Sequence, residues 1–210
     1  VNPRRHYYLL LADVAGSTEL RGKAGKAAWK RLEGVLEGAS KSAGAPVLGL
    51  SLSYGDEVAG LYEEPAAIPE VVDAMREALH PATQLRYVVT RGRLGRMHED
   101  IRQVGGRVFK RAAEEMEALK RRRGFARWAT GKASLDSALS ALAEAENALV
   151  ERMSPYQREV WRLLQAGHRQ HEIVKELGKL QQSVSQAVEA GAAREALACG
   201  AAMGKLLETT

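Results

Sequence analysis

Two aspartates stand where chemistry could be done. Asp13 closes the apolar run Tyr7-Tyr8-Leu9-Leu10-Leu11-Ala12, and Gly16-Ser17-Thr18 follow it closely; Asp56 follows Gly55 between two further apolar runs. Magnesium and manganese favour oxygen ligands, commonly one or two protein carboxylates completed by substrate phosphates. An aspartate pair brought together by strand geometry therefore suits a Mg or Mn ion holding a phosphorylated ligand, with Glu57 as an optional third carboxylate. Gly16, Ser17 and Thr18 add a tight bend, backbone N–H groups and two hydroxyls beside Asp13, which suits phosphate oxygens. Taken singly, Asp13 also reads as the cap of a turn and Asp56 as an ordinary hairpin residue.

A second constellation runs from Gln170 to Glu189. Two short helices crossing steeply need a small residue at the turn, apolar residues on their facing sides and polar residues on the exposed side of the second helix. Gly178 supplies the first, and Ile173, Val174, Leu177, Val184 and Val188 supply the second. Gln181, Gln182, Ser183, Ser185 and Gln186 make the exposed face, with Arg169 and Lys179 as flanking cations. Glutamine pairs bidentately with adenine and serine reaches bases or phosphates, so these seven residues are the candidate DNA contacts. The arrangement resembles a DNA-binding helix-turn-helix, with a Leu-Gly to Val and Ala-Val spacing similar to phage repressors. Lys179 stands where an apolar residue is usual, and Val174 where alanine is usual. The second helix carries no Lys or Arg, which predicts weak DNA binding by a monomer. The other reading of these helices is a hairpin for protein contacts.

The elements that must position these groups follow from hydrophobic spacing. The run ending at Asp13 lacks alternation and has strand length, so it reads as a central strand covered on both faces. Gly25 to Ser42 and Pro65 to Leu79 carry apolar residues at helical spacing. Val47 to Leu52 and Val58 to Tyr62 flank the Gly-Asp turn as a β-hairpin. Leu85 to Leu94 reads as a strand and Gly106 to Arg123 as a third helix, whose basic end complements the helix dipole. Phe125 to Ala129 is one more strand. The order β-α-β-β-α-β-α-β predicts an α+β fold: a ferredoxin-like antiparallel sheet with helices on one face, in which Asp13 and Asp56 meet at one sheet edge. Leu135 to Met153 is a long Ala-rich connector helix. Ser154-Pro155 then opens an all-α region by capping a new helix. The expected domains are 1–132, a connector over 133–153, and 154–210 with a C-terminal helix.

Composition limits the alternatives. The chain has 210 residues, 45% of them hydrophobic, enough for a buried core in one large or two modest domains. No apolar run approaches bilayer length and nothing reads as a signal peptide, so no membrane partner is expected. Cys199 is the single cysteine, which excludes an internal disulfide and a cysteine-based zinc cluster and suits a cytoplasmic protein. Between Arg91 and Lys132 thirteen basic residues face five acidic ones, a band suited to phosphates or to a solvated basic surface. His98, His168 and His171 are not spaced as a zinc set, and Ser17 has no His partner for nucleophilic catalysis.

The segment Tyr7 to Thr18 resembles the start of class III adenylate and guanylate cyclase domains, and Tyr54-Gly55-Asp56 is similar to their metal-binding hairpin. The match is closer to the SatD family, which joins a cyclase-like half to a C-terminal helix-turn-helix. Gly55 to Leu61 resembles its Gly-Asp-Glu signature, and Gly106 to Ala112 its later Gly-x-x-Phe-x-x-Ala segment. The resemblance covers nearly the whole chain. It implies a nucleotidyl cyclase/palm-like N-terminal fold, metal ligation by Asp13 and Asp56, and a nucleotide or phosphate ligand. Active cyclases place Asn and Arg on the helix matched here, and those places fall near Phe109 and Ala113, which cannot stabilise a transferring phosphate. Arg107, Lys110 and Arg111 are the cations close enough to substitute.

The resulting expectation is a DNA-binding regulator whose degenerate cyclase-like domain senses a nucleotide or phosphorylated small molecule with a divalent metal. The alternative is a metal-dependent nucleotide cyclase or nucleoside-triphosphate hydrolase with an accessory helical module. A two-fold homodimer is expected by analogy with both kinds of protein.

Overall fold

The structure is a computed structural model of the chain, and it describes residues 5–17, 20, 22–41, 44–53, 55–95 and 98–209. The chain divides into two compact units, Val1–Ser140 and Ala141–Thr210.

The first unit is built on a five-stranded sheet of order β2-β3-β1-β4-β5. Its central strand β1, His6–Val14, is buried from Tyr7 onward because its residues are apolar at both parities. β2 (Leu48–Ser53) and β3 (Glu57–Tyr62) form the hairpin, with β3 antiparallel to β1 and Asp13 opposite Glu57. β4 (Leu85–Arg93) lies antiparallel on the other side of β1, with Asp13 opposite Arg86. Gly55 takes φ of +84° in the hairpin turn, a conformation that a side chain disfavours.

Two helices precede β2 and β4: α1 (Gly22–Ala39) and α2 (Ile68–Leu79), which pack on each other and reach β2 and β4 respectively. The next helix, α3 (Arg107–Arg121), follows a single 3-10 turn at Ile101–Gln103 and leads into β5 (Ala126–Ala129). Val108, Ala112, Met116 and Leu119 recur at helical spacing and pack on Tyr7, Leu9, Leu11 and Val88. Tyr8, Leu10 and Ala12, which alternation turns to the opposite side, are buried as well, so both faces of β1 are covered, as expected of an apolar run without alternation.

The sheet is mixed, which corrects the expected all-antiparallel one. β5 pairs with β4 in parallel, because a strand that returns through a full crossover helix arrives in the original direction. The observed class is α+β, with eight α-helices among the described residues.

The division between the units falls within α4 (Ala133–Glu151). Its start is fixed by Asp136, whose carboxylate accepts from the N–H groups of Thr130 and Gly131, both at 2.9 Å. The second unit holds α5 (Pro155–Gln165), α6 (Gln170–Leu177), α7 (Gln181–Ala190) and α8 (Ala193–Glu208). Ser154 and Gln157 form a reciprocal capping box at the start of α5. The core comprises Val160, Trp161, Leu163, Ile173, Val184 and Val188, joined by Val150 and Met153 from the preceding segment and by Ala193 and Ala196 of α8.

Candidate functional sites

Asp13 and Asp56 come together at one edge of the sheet. The N–H of Val14 donates to the backbone oxygen of Asp56 at 3.1 Å, which seats the hairpin turn beside the end of β1. The Ser17 hydroxyl donates to Asp56 Oδ2 at 2.5 Å. Gly16 takes φ of +63° to make the bend, and Thr83 Oγ1 donates to the Ala15 carbonyl to hold it. Thr18 lies outside the described residues, as does Tyr54 of the hairpin motif.

The electrostatics of this edge differ from those of a vacant cation site. Asp13 is buried, and Lys120 Nζ lies 2.8 Å from its Oδ1. Arg86 Nη1 lies 3.6 Å from its Oδ2. Both cations arrive for structural reasons: Arg86 is the residue opposite Asp13 on β4, and Lys120 sits in the last turn of α3. Burial works against the charge of Lys120, yet its hydrogen bond and attraction to Asp13, with Glu117 and Glu57 behind, hold its pKa above the ordinary value. Glu57 is pushed the other way for a carboxyl. Burial raises its pKa, Lys120 opposes the rise, and Asp13, Asp56 and Glu117 add to it.

A divalent ion does not fit this donor set as it stands. The carboxylate expected to be the first ligand already has two cationic partners, one on each oxygen. Lys120 is the residue that reading the sequence missed. It was legible only as a favourable charge at a helix end, and its role depends on where that end is delivered.

The phosphate-binding residues expected together are separated. Gly16 and Ser17 lie at the Asp13 edge. Arg107 and Arg111, by contrast, line a cleft of about 460 Å³ with His6, Arg91, Arg93 and the glycines Gly92 and Gly95. His6 and Arg93 are the facing residues at the start of β1, the end opposite Asp13. The two groups are thus joined to opposite ends of α3, a 15-residue helix about 20 Å long. Glycines permit the crowding at the cleft: a Cβ on Gly106 would lie 2.5 Å from the Gly95 nitrogen. Lys110 is on the exposed side of α3, 3.9 Å from Glu114. Phe109 is half-buried against the core and Ala113 is exposed.

In the second unit, Gly178 ends α6 in the left-handed conformation, φ +58° and ψ +36°. The chain then turns through Lys179 and Leu180 into α7, which packs on both α5 and α6. Val184, Ala187 and Val188 are its buried residues. Gln181, Gln182 and Gln186 are exposed, and Ser183 and Ser185 are half-buried. Gln181 Nε2 donates to Gln170 Oε1 at 3.1 Å, tying the first residue of α7 to the first residue of α6. Gln170 was not among the expected contacts. Arg169 and Lys179 are exposed, and Glu172 accepts from the Arg169 N–H at 2.6 Å, a contact that lowers the Glu172 pKa. Leu180 is 74% exposed at the start of α7.

No helix among the described residues is long and apolar enough to cross a membrane. No family model matches the chain, and no curated protein is significantly similar to it.

Proposed function

We propose that this protein is a DNA-binding regulator that reads DNA through α7 as the second helix of a helix-turn-helix. The observation that carries the reading is the bond between Gln170 and Gln181 on the exposed side of the α6–α7 pair. A glutamine amide has two N–H donors and one oxygen. With one N–H committed to Gln170, Gln181 keeps an N–H and its oxygen, the donor and acceptor that adenine needs at N7 and N6 in the major groove. Gln170 in turn keeps its own NH₂ for a backbone phosphate. The left-handed Gly178 and the packing of Ile173 against Val184 and Val188 support the same reading. Arg169 and Lys179 flank the helix as phosphate contacts, and their small number makes the affinity of one copy low. A dimer bound to two half-sites is the form that compensates.

For the first unit the reading is a ferredoxin-like, cyclase-like domain that has lost catalytic use and senses an anionic ligand. Its support is the βαββαβ order of the first four strands, arranged β2-β3-β1-β4, together with the resemblance of its Asp-Gly-Ser-Thr and Gly-Asp motifs to the SatD family. The arginine-lined cleft at the start of β1 favours a nucleotide or other phosphorylated small molecule. The enzymatic alternative, a cyclase or triphosphate hydrolase, needs a metal at Asp13 and a stabilising side chain on α3, and the ion pairs of Asp13 oppose it.

Fluorescence anisotropy on genomic fragments at stepped salt concentrations tests the DNA reading. Binding that weakens with salt and is weakened further in Gln181→Ala supports it; binding indifferent to both removes it.

A further inference from the structure

We propose that Lys120 is the resident cation of the Asp13 edge: its ammonium takes the place that a divalent ion would need, and the first unit works without a metal for that reason. This inference is independent of the DNA reading.

The carboxylate oxygens a divalent ion would use already face other partners. A divalent ion bridging Asp13 and Asp56 needs carboxylate oxygens whose charge is available. At Asp13, Oδ1 faces Lys120 Nζ at 2.8 Å and Oδ2 faces Arg86 Nη1 at 3.6 Å. At Asp56, Oδ2 accepts the Ser17 hydroxyl at 2.5 Å. Lys120 is also 3.8 Å from Glu117 Oε1, so a single ammonium serves acids from the strand end and from its own helix. A second cation beside Lys120 and Arg86 would meet two like charges at contact distance in a partly buried setting, where repulsion is weakly screened.

Position explains why a lysine can do this. Lys120 stands in the last turn of α3, its side chain 34% exposed, so its stem lies along the protein while the ammonium reaches Asp13. Removing that ammonium without changing the stem leaves Asp13 with Arg86, at 3.6 Å, as its remaining ion-pair partner among the described residues. The inference is therefore that Lys120 is the side chain that keeps a divalent ion off Asp13.

The test is a Mn²⁺ titration, followed by calorimetry and by thermal unfolding, of the full chain and of Lys120→Met, Lys120→Gln and the double variant Lys120→Met/Asp13→Asn. Circular dichroism establishes that each variant is folded. The wild-type protein is expected to show no Mn²⁺-dependent shift in Tm up to about 1 mM. The folded Lys120 variants are expected to bind Mn²⁺ on the order of tenfold or more tightly than wild type, and the gain is expected to vanish in the double variant. Wild-type binding that Asp13→Asn abolishes would overturn the proposal, as would folded Lys120 variants that bind no better than wild type. If neither single variant folds, the wild-type titration decides alone, and an Asp13-dependent response refutes the proposal.

Discussion

The pairing of Asp13 with Lys120 predicts a measurable and asymmetric coupling. Asp13 is buried, and Lys120 is about one-third exposed, at 2.8 Å separation. In an effective dielectric near 20 two unit charges at that distance attract by about 6 kcal/mol before desolvation is subtracted. Desolvation of Asp13 and partial solvent screening of Lys120 leave a net coupling of about 1–3 kcal/mol. Asp13→Asn leaves both Lys120 and Arg86 short of their counter-charge, whereas Lys120→Met leaves Asp13 still paired with Arg86 at 3.6 Å. Asp13→Asn should therefore cost more, about 2–4 kcal/mol against about 1–2 for Lys120→Met. Urea unfolding of the double-mutant cycle in a Trp161→Phe background measures this, since Trp29 and Trp128 then report on the first unit. A coupling below about 0.3 kcal/mol, within ordinary additivity, would refute the ion pair as a structural element.

Glu57 gives a pH-dependent prediction. Its folded-state pKa is raised above the ordinary 4.5, so the native state disfavours its charge. The penalty is fully present above the folded pKa and disappears as pH falls to the unfolded value. Glu57→Gln should therefore stabilise the first unit at neutral pH and match wild type below about pH 4 in urea midpoints, and an equal effect at both would contradict the assignment. Gly178→Ala meets no neighbouring atom and pays only for its left-handed backbone, so it should cost the second unit about 1 kcal/mol, with Gly178→Asn closer to wild type. Thermal unfolding followed by Trp161 fluorescence in a Trp29→Phe/Trp128→Phe background checks both, and a larger loss for Asn would contradict the backbone argument.

Much of the frame was legible because local rules decide it. The unbroken apolar run before Asp13 could only be a covered strand, and Gly55 beside Asp56 marked the hairpin that β2 and β3 form. Ser154-Pro155 and Gly178 announced the start of α5 and the end of α6 through capping chemistry alone. The seating of the Asp56 turn beside the end of β1 followed from topology. What lay beyond the sequence was the partner of Asp13. Arg107, Lys110 and Arg111 drew attention as cations near a matched motif, but helix length carries Arg107 and Arg111 to the far end of the sheet and brings Lys120 to the aspartate instead. The parallel pairing of β5 and the Gln170–Gln181 bond likewise depend on a crossover direction and an interhelical approach that no local pattern encodes.

The central claim, that α7 reads DNA with an amide oriented by Gln170, is tested most directly by comparing Gln181→Ala with Gln170→Ala on a bound fragment by anisotropy. The account predicts that Gln181→Ala weakens binding by about 1–3 kcal/mol and relaxes the preference for A·T at one position of each half-site. Gln170→Ala should weaken binding while reducing that preference less. Identical affinity for wild type and Gln181→Ala across the same fragments, at low salt and at high, would contradict it.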